Sequence, residues 1–141
     1  MPRADNTYDL ALLSFVILEI DDREEIIRIV SDIQRTLKPG GILVIIGSSE
    51  ERHNPERHWA NRKVDYPENE HRFSGSKVRS LCQISGIEFL DYYWSTSDYQ
   101  DFIQQSGLQL VQQLHPLAPM DSDYLDEKTH SPYSIFVAKK P

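Results

Sequence analysis

Apolar positions along the chain form two short unbroken runs. Residues 8–17 show no alternation between apolar and polar side chains, and residues 42–46 are five consecutive apolar residues rich in branched side chains. Runs of this kind are typical of strands that are buried on both faces, as in a parallel sheet covered by helices. A buried helix is the alternative for residues 8–17.

An amphipathic segment separates the two runs and predicts a helix over residues 22–36. Ile26, Val30 and Ile33 recur at helical spacing, and Asp22 is a natural N-cap. Pro39 and the glycine after it end the helix, because proline cannot continue it and glycine accepts a left-handed conformation. Strand, helix and strand together predict a βαβ unit.

The hydrophobic pattern disappears from residue 48 to residue 76, where charges of both signs mix with scattered aromatic side chains. A stretch of this length without structure is usually a functional loop or partly disordered. We expect residues 52–72 to be mobile without ligand, because they offer few apolar anchors.

The rest of the chain returns to regular patterns. Two β-like runs, residues 77–82 and 87–94, predict a hairpin. A helix should then begin at Ser95, with Asp98 completing a capping box, and two strands should follow at residues 108–114 and 133–138. The order predicts an α/β fold with a mixed sheet. We expect a single domain over residues 1–141, with a loop and hairpin insertion at about residues 48–94.

Charge and composition narrow the class of protein. Fifteen Lys and Arg residues against 22 Asp and Glu residues give a net charge of −7, which argues against a protein that binds duplex nucleic acid. The single cysteine excludes an internal disulfide, and no signal peptide is recognisable, so we expect a cytoplasmic protein. The longest apolar run, residues 10–18, is too short to span a bilayer, so no membrane partner is expected.

Three segments together resemble the C-terminal half of class I S-adenosylmethionine-dependent methyltransferases. Residues 5–18 are similar to the family's fourth strand and its entry, and Leu37-Lys38-Pro39-Gly40-Gly41 is similar to the turn into the fifth strand. Residues 106–117 and 132–140 resemble the last helix and the final strand pair. The resemblance implies a partial Rossmann-like methyltransferase fold.

The family's cofactor loop has no counterpart in these 141 residues. In the family a glycine-rich loop after the first strand and an acidic residue after the second hold S-adenosylmethionine. Here seven residues precede the predicted strand 8–17, and the six glycines include no Gly-x-Gly pair. We therefore expect a chain without the N-terminal cofactor-binding half, which by itself binds S-adenosylmethionine weakly or not at all.

The resemblance implies a cofactor-side and a substrate-side set of residues. Ser14, Phe15 and Val16 end the first strand and would line the methionine end of S-adenosylmethionine, unless they only end the strand and pack. Glu19 follows on the same loop and is either a general base facing the substrate or a plain loop carboxylate.

Two aromatic and histidine-bearing segments complete the candidate substrate pocket. His53, His58 and Trp59 follow the fifth-strand equivalent and are either pocket residues or solvated loop residues. The spacing of the two histidines does not match a metal pair, so no metal is expected. Tyr92 and Trp94 would form a lid over a planar or apolar acceptor or, alternatively, pack the hairpin against the next helix.

Two functions compete at this point. The first is S-adenosylmethionine-dependent methyl transfer to a small-molecule acceptor, in an enzyme that is incomplete as this chain alone. The second is a non-catalytic, methyltransferase-like interaction module that binds a protein partner. Strand 8–17 lacks the neighbour it has in the family, so we expect a homodimer or a separate N-terminal half to pair with it.

Overall fold

A computed structural model describes residues 4–141, which form two helices and seven strands in a four-stranded and a three-stranded sheet. The elements in chain order are β1 (Tyr8–Ser14), α1 (Arg23–Thr36), β2 (Leu37–Ser48), β3 (Arg62–Lys63), β4 (Lys77–Cys82), β5 (Glu88–Tyr92), α2 (Thr96–Gln105), β6 (Gln109–Leu114) and β7 (Tyr133–Lys139). The predicted α/β class is confirmed.

The larger sheet has the strand order β1-β2-β7-β6. β1 and β2, which precede and follow α1 in the chain, pair in parallel, whereas β7 is antiparallel to both β2 and β6. The predicted βαβ unit and mixed sheet are therefore present. β1 forms one edge of this sheet, so one side of its backbone has no strand neighbour among residues 4–141.

Both helices begin and end where local signals predict. The Asp22 carboxylate accepts a hydrogen bond from the Glu24 N–H at 2.9 Å and caps α1. Ser95 and Asp98 form the predicted capping box at the start of α2, and Gly107 follows that helix with a φ of +79°. β2 is longer than predicted, since it begins at Leu37 directly after α1.

The core lies on one face of the larger sheet, under α1 and α2. Its largest fully buried side chains come from both helices and both central strands: Ile26, Val30, Leu43, Ile45, Tyr99, Phe102, Ile103 and Phe136. Trp94, just before α2, closes this core with its ring edge-on to Phe102 at 5.3 Å. Burial of these side chains is the main stabilising contribution to the fold.

The opposite face of the sheet carries apolar side chains that no described helix covers. This open face is formed by alternate residues on β1, β2 and β7, namely Leu10, Leu12, Ile42, Val44, Ile46, Ile135 and Val137. Leu10 and Leu12 are each 63% exposed. The prediction that these strands are buried on both faces is wrong for residues 4–141, because both helices pack on the same side.

The first strand is also shorter than predicted, ending at Ser14 rather than at residue 17. Phe15 has a φ of +55°, which a bulky side chain seldom adopts, and a short 3-10 turn follows at Ile17–Glu19. The chain therefore leaves the sheet one residue after Ser14.

The predicted hairpin is confirmed as β4 and β5, which pair antiparallel. β3 adds to the free side of β4, so the hairpin belongs to a small separate sheet rather than to the larger one. Neither helix within residues 4–141 has the length and apolar character needed to cross a bilayer.

Candidate functional site

The carboxyl end of β1 presents Ser14, Phe15 and Val16 in an exposed position. The Phe15 N–H donates to the Ile46 carbonyl at 2.8 Å, which holds the chain against β2 as the strand ends. Phe15 and Val16 are partly exposed although both are apolar. In open α/β sheets ligands bind outside the carboxyl ends of the parallel strands, which is where these three residues lie.

Phe15, Tyr133 and Arg52 form a cluster at this end of the sheet. The Phe15 and Tyr133 rings meet edge to face, with centroids 5.6 Å apart. The Arg52 guanidinium lies 5.9 Å from the Phe15 centroid and 5.3 Å from the Tyr133 centroid. Both distances are within the range of cation–π attraction. The cluster links the end of β1 and the start of β7 to the loop after β2.

The loop after β2, residues 52–72, contains buried side chains that hold it in place, so the expectation that it has few apolar anchors is wrong. Trp59 is buried and its Nε1–H donates to the Arg52 carbonyl at 2.8 Å. Val64 is also buried, and Asn69 donates from its amide nitrogen to the Val64 carbonyl at 2.7 Å. The mobility of residues 52–72 without ligand stays a prediction.

The two loop histidines lie in different environments. His53 is 1% exposed, and its Nε2 lies 3.6 Å from Oδ2 of Asp91, also buried. Burial lowers the pKa of His53, and Asp91 opposes this shift only in part. His58 is exposed, and its backbone N–H donates to Asp126 at 2.7 Å. His58 is therefore a solvated loop residue, as one of the two alternatives predicts, whereas His53 is not.

A cleft of about 400 Å³ opens beside the Phe15 cluster. Arg52, Arg62, Trp59 and Tyr133 line one part of it, and residues 116–118 after β6 line another. Arg62 donates from Nη1 to the Ser80 hydroxyl at 2.7 Å. Burial lowers the pKa of Arg62, and the nearby Arg52 charge lowers it further. The cleft therefore combines aromatic walls with two guanidinium groups.

The remaining sequence-predicted residues do not line this cleft. Glu19 is exposed at the end of the 3-10 turn after β1, and Tyr92 is half-buried at the end of β5. Trp94 donates from Nε1 to the Ile20 carbonyl at 2.9 Å and packs on α2, as the packing alternative predicts. Substrate contact by these three side chains stays a prediction.

Arg52, Arg62 and Tyr133 are the site residues that sequence reasoning missed. The two arginines lie in a mixed-charge run that is typical of a solvated loop, and Tyr133 falls within a predicted strand. The one available signal was the position of Arg52 beside His53, directly after the strand that ends at this edge. Within the part of the chain that the structure describes, no three His, Cys, Asp or Glu side chains come together as a metal site.

Comparisons with known proteins point to one fold. Residues 1–45 match a family model described as a methyltransferase domain. No curated protein matches the chain.

Among solved structures, a Listeria monocytogenes S-adenosylmethionine-dependent methyltransferase aligns with a TM-score of 0.70 at 16% identity, covering 100% of this chain and 65% of that one. A Methanosarcina mazei S-adenosylmethionine-dependent methyltransferase gives a TM-score of 0.65 at 14% identity, covering 99% and 62%. A Haloferax volcanii methyltransferase, solved in complex with a methyltransferase activator, gives 0.58 at 15% identity, covering 100% and 57%.

The chain thus spans roughly three fifths of the length of these neighbours. At such identities the likeness establishes the fold, which is the fold of S-adenosylmethionine-dependent methyltransferases. The resemblance that the sequence indicated is confirmed at that level.

Proposed function

We propose that this chain, which has the fold of S-adenosylmethionine-dependent methyltransferases, takes part in methyl transfer from S-adenosylmethionine to a small-molecule acceptor. The observation that carries the proposal is the exposed apolar surface of Phe15 and Val16 at the carboxyl end of β1. It adjoins the cleft through the Arg52 and Tyr133 contacts of Phe15. Cofactor and acceptor would therefore meet at the end of the parallel strand pair.

The residues at the end of β1 fit one side of a cofactor site. Ser14 offers a hydroxyl and Phe15 offers an aromatic face, both in exposed positions. When bound, S-adenosylmethionine would supply an electrophilic methyl group on a sulfonium sulfur, whose in-line transfer to the acceptor would leave the electron pair of the broken bond on sulfur. The contribution of this chain is to hold the acceptor in that line, since such positioning lowers the barrier substantially. Trp59 is the candidate residue whose ring lines the acceptor cleft.

The second side of the cofactor site has to come from another segment. None of the six glycines in these 141 residues forms a Gly-x-Gly pair, so no loop here resembles the glycine-rich loop of the family. We propose that a longer reading frame or a partner chain supplies it, paired with the edge of β1. The exposure of Leu10 and Leu12 on the open face supports this pairing.

The same exposure favours a second candidate function, a non-catalytic module that binds a protein partner. An edge strand with a broad apolar face can recruit a partner without any catalysis. One structural neighbour from Haloferax volcanii was solved in complex with an activator protein, so the fold is compatible with a protein partner.

Calorimetric titration of S-adenosylmethionine distinguishes the two candidates. We expect weak or no binding to the 141-residue chain and micromolar binding once the longest reading frame or partner half containing a Gly-x-Gly loop is present. Phe15→Ala should weaken that binding, whereas Leu90→Ala, an exposed leucine on β5, should not. If the completed protein also fails to bind the cofactor, the proposal of methyl transfer is wrong, and the non-catalytic interaction module remains as the candidate function.

A further inference from the structure

Arg52 is a buried cation without a carboxylate partner among residues 4–141. Its guanidinium lies beside both the Phe15 and the Tyr133 ring, and the residue is 7% exposed. Its Nε is buried and makes no hydrogen bond to any described residue. Burying an unpaired charge costs several kcal/mol, so a cation in this position favours an anion beside it.

Carboxylates near the cleft are already engaged with other groups. The Glu127 carboxylate accepts hydrogen bonds from the backbone N–H groups of Ala60 at 2.8 Å and Leu125 at 2.9 Å. The Glu51 carboxylate binds Arg57 at 2.5 Å, and Asp91 faces His53. None of these three is bonded to Arg52.

A second guanidinium reinforces the positive charge in the cleft. Arg62 lines the same cleft, and its orientation is set by the Ser80 hydroxyl and by the Phe89 ring 5.4 Å away. Neither Arg52 nor Arg62 takes part in a salt bridge within the described chain, although the protein as a whole carries a net charge of −7. The cleft lining thus carries the two guanidinium groups against the single carboxylate of Glu127, so its local charge is opposite to the net charge of the molecule and favours an anion.

The other walls of the cleft decide which anion fits. Most of the remaining lining is apolar or aromatic, including Trp59, Leu117 and Tyr124, and its polar members are Asn61, Cys82 and Glu127. No glycine and no end of α1 or α2 lines the cleft. Phosphate sites commonly rely on backbone N–H groups at glycine-rich turns or helix N-termini, which are missing from this lining. The forked guanidinium group suits a planar carboxylate, and the aromatic walls suit an apolar body attached to it.

We propose that this cleft binds the methyl acceptor as an organic acid, with Arg52 and Arg62 holding its carboxylate and the aromatic walls holding its apolar body. The identification of this acid as the methyl acceptor rests on the proposed function. Binding of the acid itself needs no cofactor, so it can be tested separately from methyl transfer.

The experiment compares matched acids and amides by titration into the protein without S-adenosylmethionine. Phenylacetate and indole-3-acetate are the acids, and phenylacetamide and indole-3-acetamide are their neutral counterparts. Arginine Nε–H signals in ¹H–¹⁵N correlation spectra report whether the charge at Arg52 is engaged. We expect at least one acid to bind at least about tenfold more tightly than its amide and to shift the Arg52 Nε–H signal.

Variants locate the binding. Arg52→Gln and Arg62→Gln should each weaken acid binding about tenfold or more, whereas Arg57→Gln should not, because Glu51 holds that guanidinium outside the cleft. The acid–amide comparison on the unmodified protein stands even if a variant does not fold. The proposal would be overturned if acid and amide bound equally, or if neither bound. It would also be overturned if inorganic phosphate bound and the acids did not, or if Arg52→Gln weakened only the binding of S-adenosylmethionine.

Discussion

Nε2 of His53 lies 3.6 Å from Oδ2 of Asp91, and both side chains are almost fully buried. His53 belongs to the loop after β2 and Asp91 to β5, so the two side chains meet where that loop packs against the small three-stranded sheet. The same loop carries Arg52, whose guanidinium stands in the candidate site. The position of that charge therefore depends on a buried histidine next to it.

Mild acidification is expected to destabilise the protein through His53. Burial lowers the pKa of His53, Asp91 opposes the shift, and the Arg52 and Arg62 charges add to the lowering. The unfolded chain then takes up a proton near pH 6.5 that the folded chain resists, so stability is complete above that pH and is lost as the pH falls toward the folded pKa. We expect the free energy of unfolding in urea to decrease between about pH 7.5 and about pH 5.5.

Substitution at the two loop histidines tests this assignment. His53→Gln should lower stability at neutral pH but flatten its dependence on pH over the same window. His58→Gln serves as the control, since this side chain is exposed and should leave the pH dependence unchanged. A slope that persists in His53→Gln would contradict the role of the buried imidazole.

Loss of the Asp98 charge should destabilise the junction of the two helices. Asp98 accepts hydrogen bonds from Ser95 and Ser74 and pairs with Arg23 at the start of α1. Burial would raise the pKa of Asp98, but these hydrogen bonds and the Arg23 charge outweigh it and lower the pKa. Asp98→Asn should cost about 2–3 kcal/mol at neutral pH, measured by urea unfolding, because it weakens the capping box and removes the charge that pairs with Arg23.

Asp101→Asn provides the matched control for this prediction. Asp101 binds the same arginine, with Oδ2 2.6 Å from Nη1 of Arg23, but the side chain is more exposed. Its loss should therefore cost less than about 1 kcal/mol. Equal costs for the two substitutions would show that the cap contributes little.

A methyl group at Gly47 should clash with the core. A Cβ built there would lie 2.8 Å from Cζ of Tyr99, whose ring stacks on Phe136 with centroids 4.9 Å apart. Gly47→Ala should therefore destabilise the fold by about 1–3 kcal/mol in urea unfolding. In a Tyr99→Leu background the same substitution should cost much less, and an undiminished cost would place the strain elsewhere.

Local signals explain why so much of the fold could be predicted from the sequence. The caps at Asp22 and Ser95 act within three residues, and the apolar run of β2 identifies a strand whatever it pairs with. The left-handed turn at Phe15 carries no such signal, because φ above zero is expected of glycine and not of phenylalanine. The end of β1 was therefore misplaced by three residues.

The candidate site was harder to predict because tertiary contacts create it. Arg52 resembles a solvated charge in a mixed run, but in the fold its guanidinium lies beside Phe15 and Tyr133, which are distant in sequence. Trp94 shows the converse: its aromatic side chain suggested a lid, yet its N–H and its ring are both used inside the core. Neither outcome follows from the segments alone.

The edge of β1 leads to the last prediction, which concerns association. Leu12 is 63% exposed on the open face, and no lysine, proline or inward charge interrupts residues 10–18. β6, at the other edge of the sheet, has an irregular register between Leu110 and Gln112 and polar neighbours, which disfavour the addition of a strand.

Leu12→Lys should therefore convert an assembly of this chain, whether a homodimer or a complex with an N-terminal half, into a free monomer in light scattering at micromolar concentration. A few hundred Å² of apolar burial at roughly 25 cal/mol per Å² would contribute several kcal/mol to association, and a lysine at the centre of that contact would remove much of it. Val111→Lys, a similarly exposed position on β6, is the matched control and should leave the assembly intact. A stable monomer before any substitution would refute the association through β1, because it would show that the edge strand is stable when exposed to solvent.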